Sequence, residues 1–296
     1  MRRLLLALSG VMLLSGCAAH PSTTAAPISR HSPSPSPSGA PTAEPPPTPS
    51  AVVSSPPPPR PKPSTAPPPP KPVPLDCSGT ASIDRPPASG SGPLGTVKTT
   101  GSEAVALTFD DGPDPINTPK ILDLLRQCGV KATFCLVGVK VAAHPSVVRR
   151  IVSDGHTLCN HTWRHVTQLG TYGPDLIRQD LTDTSNAIRA IVPDARIGYF
   201  RAPGGAWTQD YINVARELGM TPLHWDVDTR DWESSKWGKG QSMVDHIVGL
   251  VQDNTKPGSV ILSHDYQKPD TTAAYRILLP WLKARFKLIA LPPQGM

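Results

Sequence analysis

The sequence predicts an α/β fold, a parallel sheet with helices outside it, closing towards a barrel. Three observations carry this. Short apolar runs alternate with segments of helical spacing over about 200 residues, from Gly95 to Met296. Five clusters of polar residues fall at or just beyond the C-terminal ends of those runs. A barrel gathers many strand ends around one mouth, whereas an open doubly wound sheet collects them only near a switch point.

The strand-like runs are Val105–Phe109, Ala132–Leu136, Thr157–Asn160, Tyr199–Arg201, Thr221–Trp225, Val260–Leu262 and Leu288–Leu291. Between most of them lie helical patterns. Thr118-Pro119 is a cap and first-turn pair for a helix ending before Gly129. Pro145–Asp154 stops at Gly155. Asp175–Ile191 carries Leu176, Ile177, Leu181, Ile188 and Ile191 near helical spacing. Thr208 caps Tyr211–Leu218 with Gly219 beyond it, and Ser242 caps Met243–Val251.

Ahead of this domain the chain reads differently. Arg2 and Arg3 precede an apolar run, Leu4 to Leu14, which is well short of the ~20 residues that span a bilayer and so reads as a signal-peptide core. Leu14-Ser15-Gly16-Cys17 resembles the lipobox of bacterial lipoproteins, which implies acylation of Cys17, cleavage before it and tethering to the outer face of the membrane. An ordinary secretory signal with a stray cysteine is the alternative. Residues 18–75 hold 22 of the 38 prolines and no aromatic residue, so they cannot form a core. Such a stretch favours extended polyproline II and reaches on the order of 150 Å at ~3.1 Å per residue. The expected organisation is a signal peptide over 1–16, a disordered spacer over 17–75 and a catalytic domain over 76–296.

The formal charge of +6 resides mostly in residues 1–75, where six basic side chains face one acidic one. The remainder, with 23 basic and 22 acidic residues, is near neutral and has no electrostatic footprint for nucleic acid. No obligatory protein partner is implied. With Cys17 set aside, Cys77, Cys128, Cys135 and Cys159 are an even set in an oxidising compartment, which suggests two disulfides over a zinc–thiolate site. Cys135 and Cys159 lie near the ends of strands expected to be neighbours. Their pairing would leave Cys77 with Cys128, pinning the end of the spacer to the first helix.

The polar clusters carry the chemistry. Asp110-Asp111-Gly112-Pro113 sets two carboxylates side by side, and like charges resist sharing a site unless a cation or base divides their roles. In His161-Thr162-Trp163-Arg164-His165 the four-residue spacing places both imidazoles on one side of a helical turn, as metal ligands often are. Arg201-Ala202-Pro203-Gly204-Gly205, Asp228-Thr229-Arg230-Asp231-Trp232 and Leu262-Ser263-His264-Asp265 follow in order. Each alone is weak: a solvated turn, a structural pair of histidines, a surface arginine. Together, at successive strand ends, they are specific.

In that order and spacing the chain resembles the polysaccharide deacetylase family of metal-dependent carbohydrate esterases, from about Ala104 to the C-terminus. The resemblance implies a distorted (β/α) barrel of about seven strands. It makes Asp111, His161 and His165 the ligands of a divalent ion, with zinc expected, Asp110 the base and His264 the acid. Arg201 then tunes Asp110, Asp231 tunes His264, Leu262 and Trp232 line the acetyl pocket, and the Gly204 N–H stabilises the oxyanion. Such a cation polarises the carbonyl and lowers the pKa of water, and an amine leaving group needs a protonated His264.

Where an aromatic residue often follows the proline of the third motif, Gly204-Gly205 stands here, which is expected to open one wall of the cleft. Trp163, Trp207, Trp225 and Trp237 are either sugar-stacking or packing residues, and His144, His156, His224 and His246, which lack motif partners, read as structural or surface residues. The expected substrate is an acetylated polysaccharide, peptidoglycan or chitin oligomers, losing N-acetyl groups. O-deacetylation of xylan or other glycans, and an inactive wall-binding module, are the alternatives. A two-carboxylate glycosidase is disfavoured because the one conspicuous carboxylate pair serves the metal and the base.

Overall fold

A computed structural model describes residues 74–79, 85–293 and 295. The signal segment, Cys17 and the spacer up to residue 73 lie outside the described residues. Eight strands form one sheet: β1 Val105–Asp110, β2 Thr133–Leu136, β3 Thr157–Asn160, β4 Ile197–Phe200, β5 Thr221–Pro222, β6 Val227–Asp228, β7 Val260–His264 and β8 Leu288–Ile289. Seven run in the order β5-β4-β3-β2-β1-β7-β6, with every pairing parallel, and form a curled half-barrel. β8 pairs with the start of β1 through Val105 and Ala106. The Leu291 backbone then bonds the Thr133 and Thr157 hydroxyls.

Eight helices connect the strands: α1 Asn117–Gln127, α2 Gly138–Ala143, α3 Pro145–Ser153, α4 Pro174–Ile191, α5 Gln209–Glu217, α6 Ser234–Trp237, α7 Gln241–Asn254 and α8 Pro269–Arg285. Three of the five expected helix starts are met, whereas Thr118 and Ser242 fall inside α1 and α7, which begin at Asn117 and Gln241, and cap neither. Pro145 and Pro174 open α3 and α4, and the Thr208 hydroxyl accepts from Tyr211 N at the head of α5. α2, α6 and α8 are additional. The expected strand Thr221–Trp225 is cut to two residues: Pro222 brings no N–H to a ladder, and the chain turns away to start again as β6. No helix among the described residues is long and apolar enough to cross a membrane.

Period-two alternation divides the core. Val105, Leu107 and Phe109 point outward into the large core beneath the helices, with Phe134, Tyr275 and Leu278. Ala106 points inward and joins Cys135, Cys159, Tyr199, Leu223, Val260 and Leu291 in a small core inside the curl. Thr108 and Asp110 share the face of Ala106, so β1 delivers Asp110 to the top of the interior. Register aligns Asp110 with Cys135 and with His264, and Cys135 with Cys159. The Cys135–Cys159 disulfide therefore fills the interior beside Asp110. The second expected disulfide, Cys77–Cys128, ties the N-terminal segment to the end of α1.

Candidate active site

At the top of the curl is a cleft of about 380 Å³. Asp110, Asp111, His161, His165 and His264 line it, with Leu262, Trp232 and Gly204. Arg201 and Asp231 stand directly behind, both buried. All ten residues singled out in the folded part are thus brought to one place.

Asp111, His161 and His165 each offer one ligand atom, and these atoms lie within 4.8 Å of one another. Asp111 Oδ1 is 3.2 Å from His165 Nε2 and 3.5 Å from His161 Nε2, and it is buried without a hydrogen bond. An orphaned buried carboxylate oxygen facing two imidazole nitrogens is costly unless a cation completes it. One oxygen and two nitrogens suit zinc among other divalent ions. Burial alone would push the Asp111 carboxyl up, but His161, His264 and His165 hold it far below the usual carboxylate range. Burial, with His161 beside it, pushes His165 down and favours the neutral imidazole that a metal requires.

The backbone around these ligands is unusual. Asp111, Thr162 and His165 have φ of 74°, 64° and 58°, a region that costs an L-residue about 1–2 kcal/mol unless its surroundings impose it. Here they do. Lys140 Nζ donates to Asp111 O at 2.8 Å, and Val137 N donates to Gly112 O at 2.9 Å. A Cβ on Gly112 would lie 2.5 Å from Asp265 Oδ1, so only glycine fits. At the end of β3 the Asn160 side chain donates to Leu181 O and Ser185 Oγ, and its Oδ1 accepts from Thr162 N at 3.0 Å. Thr162 Oγ1 accepts from His165 N, and Asp180 Oδ1 accepts from Trp163 N. The expected helical turn is therefore absent: an anchored irregular turn brings the two imidazoles together, with ring centroids 4.8 Å apart. His161 Nδ1 lies 2.8 Å from Arg201 O, a carbonyl that only accepts, so Nδ1 carries the proton and Nε2 faces Asp111.

Arg201 is fully buried and spends its guanidinium on four acceptors: Asp110 Oδ1 at 2.7 Å, Thr108 Oγ1, Leu223 O and His224 O. Asp110 Oδ2 faces His161 Nε2 at 3.7 Å. Across the cleft, His264 Nδ1 donates to Asp231 Oδ1 at 2.6 Å, and His264 N and Thr271 Oγ1 donate to Asp231 Oδ2. Burial would lower the His264 pKa, but the Asp231 charge and hydrogen bond outweigh it and raise it to about 9. Asp231 is lowered in turn despite its burial. At neutral pH the pair is imidazolium–carboxylate, with Nε2–H left to donate.

Two residues, Asp228 and Lys140, escaped the sequence reading. Asp228 lines the cleft, and burial pushes its carboxyl up; its signal was the first aspartate of a cluster credited only to Asp231. Lys140 had no signal. Trp225 also lines the cleft and corrects the expected open wall: a Cβ on Gly205 would lie 2.8 Å from Trp225 Cη2, so the glycine admits the indole and the wall is filled from the segment between β5 and β6. Trp163, Trp207 and Trp237 are not among the cleft residues.

Comparison with known proteins agrees with this arrangement. Residues 97–223 match the family model described as polysaccharide deacetylase. A chitooligosaccharide deacetylase from Sinorhizobium fredii is 37% identical over 208 residues, covering 66% of this chain and 93% of that protein. The chain belongs to the polysaccharide deacetylase family. A peptidoglycan-N-acetylglucosamine deacetylase from Bacillus cereus is 34% identical over 183 residues, 60% of this chain and 81% of its own length. The crystal structure of a peptidoglycan N-acetylglucosamine deacetylase in complex with 4-naphthalen-1-yl-N-oxidanyl-benzamide aligns with a TM-score of 0.58 at 34% identity, covering 68% of this chain and 91% of that one. The family is one of hydrolases and generally metal-dependent, and the Asp111–His161–His165 cluster provides a place for an ion.

Proposed function

We propose that the protein removes N-acetyl groups from an N-acetylglucosamine-containing polysaccharide, peptidoglycan foremost and chitin oligomers next, and releases acetate. The observation that carries this reading is the charged His264–Asp231 pair across the cleft from Asp110 and the metal-binding cluster. Amide hydrolysis needs that combination because the amine must be protonated as it departs. The names of the relatives, chitooligosaccharide and peptidoglycan deacetylases, support the substrate class.

Asp111, His161 and His165 would hold the ion, which we take to be zinc. When bound, it supplies Lewis acidity towards the acetyl carbonyl and acidifies water. Asp110, fixed by Arg201, accepts the proton of the attacking water. His264 donates from Nε2 to the leaving nitrogen while Asp231 steadies the imidazolium. Leu262 and Trp232, both lining the cleft, bound the pocket for the acetyl methyl, and the Gly204 N–H is the donor to the developing oxyanion.

For residues 1–75 we propose the signal peptide, lipid attachment at Cys17 and the proline-rich spacer, which would hold residues 76–296 on the outer face of the membrane within reach of the wall. Acetate release from peptidoglycan, chitin oligomers and acetylxylan, compared between native protein and Asp110→Asn, tests the activity. The expected result is release from the N-acetylated substrates and a loss of about 10²–10⁴ in the variant with metal retained. Release from acetylxylan alone would replace this reading with O-deacetylation. Labelling of Cys17 by radioactive palmitate in growing cells tests the anchor, and an unlabelled protein would refute it.

A further inference from the structure

A second concave surface of about 230 Å³ lies outside the cleft, where Trp163 sits against α2 and α4. Tyr172 and Leu176, exposed at 53% and 52%, are two of only seven large apolar side chains left exposed among the described residues, and both line it. A single exposed apolar residue is ordinary, but two at one concavity form a patch. The Trp163 ring packs against Gly138, where any Cβ would run into it. Gln179, Asp180 and Asp183 supply the polar side of the crevice. Asp180, pushed up to about 6 by burial and by Asp183, accepts from Trp163 N through Oδ1.

This lining selects its ligand. Two carboxylates repel an anion, and a wholly apolar partner would bury them unpaired. No third ligand joins them in a metal-binding group among the described residues. A neutral sugar ring satisfies both sides, with its C–H face on tyrosine and leucine and its hydroxyls towards carboxylate and carboxamide.

The crevice also adjoins the cleft along one stretch of chain. His165 lines the cleft, Thr167 lies against Gly204 with its Cγ2 3.3 Å from the glycine's Cβ position, and Leu169 and Tyr172 line the crevice. We propose that the Trp163–Tyr172 crevice is an accessory glycan site, binding a further sugar of the polymer whose acetyl group occupies the cleft. The inference rests on the deacetylase reading.

The experiment separates the two. Acetate release is measured on N,N′-diacetylchitobiose and on chitohexaose for native protein, Tyr172→Ala and Leu176→Ala. Loss of a stacked sugar face of roughly 50 Å² corresponds to about tenfold. Tyr172→Ala should therefore lower kcat/KM about tenfold on the hexamer and leave the disaccharide within about twofold, with Leu176→Ala acting in the same direction. Equal effects on both lengths would overturn the inference. If native protein releases acetate from neither, the deacetylase reading fails, and chitohexaose titration followed by tryptophan fluorescence decides the crevice. Equal affinities for native protein and Tyr172→Ala would then refute it.

Discussion

Replacing Asp231 by asparagine keeps the shape of the His264 partner and removes its charge. In the native protein Asp231 lifts buried His264 to about 9, against an ordinary 6.5. That difference corresponds to about 3 kcal/mol of folding free energy. The sign is that of a raised histidine: the stabilisation is complete below about pH 6.5 and lost as pH rises through about 9. Asp231→Asn should thus be less stable by about 3 kcal/mol near pH 6, and the gap should close towards pH 10. The activity should change in parallel. With the Asp231 charge gone, only the Asp111 and Asp110 carboxylates still oppose burial, so the His264 pKa should fall and the alkaline limb of kcat/KM should move down with it. Urea melts and acetate release from chitohexaose between pH 5 and 10 read both effects. An alkaline limb that stays in place while the melts shift would show that His264 is not the proton donor, whatever it does for stability.

Arg201→Met strands buried Asp110 and should cost about 3–5 kcal/mol, seen as a fall of about 6–20 °C in Tm; an unchanged Tm would mean that the pair contributes nothing. His264→Ala should cost about 10²–10⁴ on an N-acetyl amide and far less on an activated acetate ester, whose leaving group needs little protonation. Equal losses on the two substrates would place the acid elsewhere. Replacing Cys77 and Cys128 together by serine frees a loop of sequence separation 51, which chain entropy values at about 4 kcal/mol. A drop of about 8–16 °C in the Tm of non-reduced protein is expected, and no drop would contradict the link.

The sheet and the cleft were legible where local pattern and tertiary position agree. Val105–Phe109 is apolar except at Thr108 because β1 is buried on both faces, and its end at Asp110 marks the mouth of the curl. Elements set by long-range contacts were not legible. α8 contains Pro280, a residue that ordinarily ends a helix. β6 has two residues and exists through its pairing with β7. The spacing of His161 and His165 gave their proximity but not its cause, which is a strained turn held by Asn160 and by Asp180 from α4. Likewise, Gly204-Gly205 showed that a side chain was missing from the wall, and only the fold shows Trp225 in its place.

The account turns on Asp111, His161 and His165 holding a cation that the reaction requires. Chelator-treated protein should bind one zinc ion per chain by calorimetry and regain acetate release from chitohexaose in proportion to the zinc added, while His165→Ala should lose both. Full acetate release from protein shown by elemental analysis to be metal-free would contradict the account.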